Sequence, residues 1–272
     1  MMKKILALML AMMMIVCCFA ACADDNKGTA NETTDPSDAE NKEEVLTTVV
    51  EGKLTMATNA YFPPYEYYEG DKIIGIDAEI AEKVAEKLGL ELEIKDMAFE
   101  SIITAVTEGS VDMGLAGMTV TDERLESVDF SISYASGVQS IIVKDGSAIK
   151  SVDDLYAEGA NYKVGVQLGT TGDIYCVDDF GADRVTQYTT GNEAVSALIG
   201  GAVDCVIIDN EPAKAFVAAN EGLVILDTSY ADEDYAACIA KENDALLKAI
   251  NEAIYDLTED GTIEAIIAKY IK

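Results

Sequence analysis

Asp77-Ala-Glu-Ile-Ala-Glu-Lys-Val-Ala-Glu-Lys-Leu-Gly-Leu-Glu-Leu-Glu-Ile94 passes from one structural period into another. Ile80, Ala81, Val84, Ala85 and Leu88 recur at the spacing that lines one face of a helix, Gly89 stops it, and residues 91–94 read as a strand. Upstream, residues 54–58 read as a strand. Downstream, residues 99–108 give a second helix ended by Gly109, and another strand starts at Val111. This is a βαβ rhythm, which predicts a parallel sheet covered by helices.

The rhythm restarts in the second half. Strands are predicted at residues 138–143, 163–167, 203–208 and 235–240. Helices are predicted at 151–158, from 170 to 176, and at 192–199, 211–219 (opened by Pro212), 245–257 and 262–270. Two α/β units in series, joined by extended segments, predict two lobes with a cleft between them. Ligands of open parallel sheets bind beyond the carboxyl ends of the strands. Four polar clusters fall at such places: Thr58-Asn59, Thr119 to Arg124, Gln167-Leu-Gly-Thr-Thr171 and Asp209-Asn210.

Within Leu115-Ala-Gly-Met-Thr-Val-Thr-Asp-Glu-Arg124, a short apolar strand runs into hydroxyls, acids and one of the two arginines of the chain. Thr121 reads as a helix cap, and a helix start offers free N–H groups to an anion. Arg124 adds a planar, permanently charged fork suited to a carboxylate, and Thr119 a hydroxyl and an N–H. The alternative, Arg124 pairing with Asp122, Glu123 or Glu126 on a solvated helix, stays open on spacing alone.

Lys3 and Lys4 precede an apolar stretch from Ile5 to Ala21, after which the chain turns acidic at Asp24-Asp25. That is a secretory signal pattern, residues 1–21. Phe19-Ala-Ala-Cys22 is similar to a bacterial lipobox, with Phe19 departing from the usual Leu, which implies a lipidated Cys22. Residues 22–51 are polar and acidic and read as a flexible tether. Loss of Lys3 and Lys4 with the signal takes the net charge from −31 to −33, which argues against nucleic acid or anionic lipid as a partner. Cys176, Cys205 and Cys238 remain, an odd number that reads as buried free thiols. The chain has no His, so imidazole triads and His general bases are excluded. No catalytic residue, metal or cofactor is expected.

Gly75-Ile-Asp-Ala-Glu-Ile80 with Val84-Ala85 resembles the signature of the extracellular solute-binding proteins of ABC transporters for polar amino acids, family 3, with Ala78 replacing a usually larger apolar residue. The likeness runs from about residue 53 to 272, through Thr58-Asn-Ala-Tyr-Phe-Pro-Pro-Tyr-Glu66, Ala116 to Arg124, Gly165-Val-Gln-Leu-Gly-Thr-Thr171 and Asp204-Cys-Val-Ile-Ile-Asp209. It implies a two-lobed periplasmic-binding-protein fold of type II with two crossover hinge strands, near residues 134–142 and 230–237. Lobe 1 would comprise residues 52–136 and 235–272, and lobe 2 residues 137–234.

By the same resemblance Arg124, Thr119 and the backbone at Gly117 and Thr171 would grip a ligand's α-carboxylate, and Asp209 would accept its α-ammonium. Phe62 and Phe99 would wall the side-chain pocket, with Tyr61 outside. Relatives that bind Lys or Arg often carry Asp where this chain has Asn59. A neutral, glutamine-like L-amino acid, hydrogen-bonded by Gln167 and Asn59, is therefore expected. The implied protein is a monomeric, lipid-anchored component on the extracytoplasmic face of the bacterial cell membrane, serving a permease and ATPase complex. Its rivals are a cyclohexadienyl dehydratase-like enzyme on the same fold and the ligand-binding subunit of a sensor.

Overall fold

Helix Ile76–Leu88 forms where the period predicts it, and Gly89 ends it in the left-handed region at φ 70°, its N–H donating to the carbonyls of Ala85 and Glu86. This computed structural model describes residues 46–271 apart from Ser229. The signal segment, Cys22 and the tether as far as residue 45 lie outside the described residues.

The first sheet runs in the order Glu91–Asp96, Lys53–Thr58, Met113–Gly114, Cys238–Ala240, Val128–Phe130. The first three strands are parallel, whereas Cys238–Ala240 lies antiparallel to both of its neighbours. A strand from near the end of the chain thus sits inside a sheet begun by its N-terminal half. Helices Asp244–Glu259 and Thr262–Tyr270 follow it, and Leu246, Ile250 and Ile254 join Leu54, Ile80 and Val84 in one core. Full burial of each such side chain contributes roughly 1.5–3 kcal/mol.

The second sheet runs Val185–Tyr188, Val164–Gln167, Cys205–Asp209, Ala135–Lys144, Leu223–Ile225. Again three strands are parallel and Ala135–Lys144 is antiparallel to Cys205–Asp209. Both sheets are therefore mixed, a correction to the parallel sheets predicted. Ala231–Tyr235 pairs antiparallel with the first half of Ala135–Lys144, from Ala135 opposite Tyr235 to Gln139 opposite Ala231. These two paired strands carry the chain from the first sheet to the second and back.

Further departures are local, and strands Val128–Phe130, Val185–Tyr188 and Leu223–Ile225 were not predicted. The strand predicted at 235–240 is two strands, broken at Ala236-Ala237. The helix predicted at 99–108 opens as a 3-10 turn, Phe99–Ser101, before Ile102–Thr107. A small antiparallel sheet of Tyr61–Phe62, Glu66–Glu69 and Lys72–Ile74 was not predicted. Residues 46–51, assigned above to the tether, dock on the first sheet: Leu46 packs on the core, and Val49 N–H donates to Asp112 Oδ1 at 2.7 Å. Asp112 Oδ2 meanwhile accepts from the Thr55 backbone and hydroxyl at 2.7 and 2.6 Å. Among the described residues no helix is long and apolar enough to cross a membrane.

Candidate functional site

Thr121 caps helix Asp122–Ser127, its hydroxyl accepting from Arg124 N–H at 3.2 Å. This cap turns Arg124 inward. The side chain is 6 % exposed, lies over the Phe99 ring at 5.4 Å, and donates to the Thr119 carbonyl at 2.7 Å and the Gly169 carbonyl at 3.0 Å. It makes no ion pair with Asp122, Glu123 or Glu126 among the described residues, so the solvated-helix alternative fails. Burial lowers its pKa, partly offset by Glu233. The positive end has been taken out of water and aimed at the second sheet.

Asn59, at the end of Lys53–Thr58, and Gln167, at the end of Val164–Gln167, meet across the gap. Gln167 Nε2 donates to Asn59 Oδ1 at 3.0 Å while Asn59 Nδ2 donates to the Met97 carbonyl at 2.8 Å. Gly169 permits this approach in two ways. It sits at φ 77°, and a Cβ there would lie 2.9 Å from Glu100 Cβ. Thr171, 3 % exposed, begins helix Thr171–Phe180, whose cap is the Thr170 hydroxyl accepting from Asp173 N–H.

The acceptor end is more elaborate. Asp209, ending Cys205–Asp209, accepts from Gln139 Nε2 at 2.8 Å and from the Tyr235 hydroxyl. The same Gln139 nitrogen donates to Glu233 Oε2 at 2.9 Å. Burial and the adjacent Glu233 carboxylate hold the Asp209 carboxyl well above the usual range. Phe62 and Phe99 are both buried nearby, Phe62 against Gly117 and Phe99 under the Arg124 guanidinium.

The sequence profile of the bacterial extracellular solute-binding proteins, family 3, matches residues 54–272. The chain belongs to that family. The arginine-binding extracellular protein ArtP of Bacillus subtilis (strain 168) is 34% identical over 228 residues, which cover 80% of this chain and 86% of ArtP. The ABC transporter glutamine-binding protein GlnH of the same strain is 30% identical over 277 residues, covering 100% and 98%. Among solved structures, an ancestral arginine-binding protein bound to glutamine superposes with a TM-score of 0.76 at 37% identity, covering 82% of this chain and 99% of that one. The fold of this solute-binding protein is accordingly the type II periplasmic-binding-protein fold, with Ala135–Lys144 and Ala231–Tyr235 as its crossover strands.

One expected contact needs correction. The Gly117 N–H, assigned to a ligand carboxylate, donates instead to Asp77 Oδ2 at 2.7 Å, and the Tyr134 hydroxyl holds the same oxygen at 2.8 Å. Gln139, Glu233 and Tyr235 were missed as members of the site. Gln139 carried a signal, an amide inside the apolar run Val138-Gln-Ser-Ile-Ile142, whereas Glu233 was hidden in the acidic triplet Asp232-Glu-Asp234.

Proposed function

We propose that this family 3 protein captures a polar L-amino acid between its two lobes and delivers it to an ABC permease and ATPase complex. One observation carries the reading: a buried donor-only fork, Arg124 on helix Asp122–Ser127, reaches the Gly169 carbonyl beyond the second sheet, while a buried acceptor, Asp209, ends a strand of that sheet. A zwitterion needs just such a division. Asn59, Phe62, Phe99, Gly117, Thr119, Arg124, Gln167, Thr171 and Asp209 form the proposed contact set, in lobes spanning 52–136 with 235–272, and 137–234. Arg124 to Gly169 and Gln167 to Asn59 are bridges a ligand would replace or extend, so ligand contacts to both lobes favour closure, with the crossover strands absorbing the motion.

A neutral, glutamine-like side chain fits best, because the pair beside the cleft is two amides with no charge at position 59. The solved relative bound to glutamine and the naming of GlnH point the same way. A cationic side chain is the second reading, favoured by Glu233 and Asp209 facing a single guanidinium and by ArtP's arginine. Isothermal titration of residues 45–272 with the twenty amino acids, repeated with Arg124→Ala, tests both. Tightest binding of glutamine, lost in the variant, supports the first; tightest binding of arginine or lysine replaces it with the second. No product is expected on incubation with prephenate or arogenate.

The protein is further proposed to be a monomer held at the extracytoplasmic face by lipid on Cys22. Radiolabelled palmitate should enter the wild type and not Cys22→Ala.

A further inference from the structure

Glu233 and Asp209 come from different strands and share one nitrogen. Gln139 has two Nε2 hydrogens, and they are used up on Asp209 at 2.8 Å and Glu233 at 2.9 Å. Glu233 Oε1 and Gln139 Oε1 are then buried acceptors with no partner among the described residues, in side chains 5 % and 1 % exposed. A buried carboxylate oxygen without a donor costs on the order of 1–3 kcal/mol or more. The groups facing the pair are Arg124 from its helix, Tyr175 from helix Thr171–Phe180, Tyr235 from the crossover strand, Tyr65 packed on Tyr235, and Glu66 from strand Glu66–Glu69. Only Arg124 is cationic; its hydrogen bonds run to the Thr119 and Gly169 carbonyls, and it makes no ion pair with either acid among the described residues. Two acids therefore converge near one guanidinium that hydrogen-bonds to neither.

We propose that Glu233 is a second acceptor for the ligand's ammonium group, forming with Asp209 a two-carboxylate clamp, and that in the empty site a proton held on Asp209 stands in the cation's place. An ammonium carries three N–H donors and no acceptor, the complement of what is left unpartnered. This rests on the amino-acid reading above and adds to it both a residue and a linkage: each ligand that enters expels one proton. Glu233 lies on Ala231–Tyr235, so the clamp is half built on a strand that joins the lobes, and gripping the ammonium draws that strand against Asp209.

The test is calorimetric. Titrations of whichever amino acid binds wild type, in buffers of different ionisation enthalpy between pH 5 and 8, count protons released per ligand. The expected result is about one proton where the empty site is protonated, with affinity rising about tenfold per pH unit across that range. Glu233→Gln keeps the shape, removes the charge beside Asp209, and is expected to bind a few-fold more weakly with a smaller proton release. Amino-acid binding with no buffer dependence at any pH overturns the clamp and leaves the transport reading standing. No amino-acid binding by wild type removes both. If Glu233→Gln does not fold, the wild-type proton count alone decides.

Discussion

Asn59 and Gln167 hydrogen-bond to one another at 3.0 Å, each at the carboxyl end of a strand in a different sheet. Each lobe thus contributes one amide to a single contact. Only one of the four hydrogen-bonding groups is turned to a backbone, through Asn59 Nδ2 to Met97. The Gln167 side-chain oxygen, Oε1, makes no hydrogen bond among the described residues, so a ligand amide can meet it.

Asn59→Asp replaces a neutral acceptor by a charged one of the same shape. The bond from Gln167 survives, the donor to Met97 is lost, and a cationic side chain gains a partner. Arginine should gain on glutamine by about tenfold or more, equivalent to about 1.4 kcal/mol. Competition titrations read the ratio directly. An unchanged ratio would place position 59 outside the side-chain pocket.

Arg124→Lys tests whether the fork or merely the charge matters. A lysine keeps the charge but cannot span the Thr119 and Gly169 carbonyls or lie flat over Phe99. Ligand affinity should drop by about 2 kcal/mol, roughly 30-fold, and the thermal midpoint of the ligand-free protein should fall as well. Equal affinity in the lysine variant would mean that the carboxylate is held elsewhere.

The two-lobed fold and its crossovers were legible through the family resemblance, whereas what the residue pattern alone made legible was local. The helix predicted at 262–270 forms as Thr262–Tyr270, and the Thr121 cap acts on a residue three positions on. Periodicity and capping are decided within a few residues, so the chain displays them openly. Gln139 finds its carboxylates 70 and 94 positions away, and the Gly117 N–H is claimed by Asp77 from 40 positions away. Such partners are chosen by the crossover strands and the turn of the sheet, which no short window records. The same holds for Cys238–Ala240, whose neighbours lie more than a hundred residues upstream.

The three remaining thiols should be silent until the fold opens. Cys176, Cys205 and Cys238 are all free and fully buried, and burial pushes Cys205 and Cys238 each to about 12. A thiol reacts as its thiolate, so native protein at pH 8 should give almost no colour with a disulfide reagent. Residues 45–272 in denaturant should titrate three thiols. Rapid labelling of the native protein would show that one of them is reached by local opening.

Behind the cleft, Asp77 ties Gly117 and Tyr134 together, and it is itself buried beside Glu66. Burial raises Asp77 from 3.8 to about 6, and burial with the Asp77 charge holds Glu66 well above the usual range; Glu66 Oε1 and Oε2 and Asp77 Oδ1 are buried and make no hydrogen bond among the described residues. An acid whose folded-state pKa exceeds its unfolded one binds more protons folded than unfolded between the two values. Stability from Asp77 is therefore full below about pH 4 and is lost as the pH rises through 6, by about 2–3 kcal/mol at most. Asp77→Asn keeps an acceptor for Gly117 and Tyr134 while abolishing the ionisation. Urea unfolding of both proteins from pH 4 to 7 should show wild type losing stability relative to the variant across that window. Parallel curves would mean that Asp77 ionises in the folded protein as readily as in the unfolded chain.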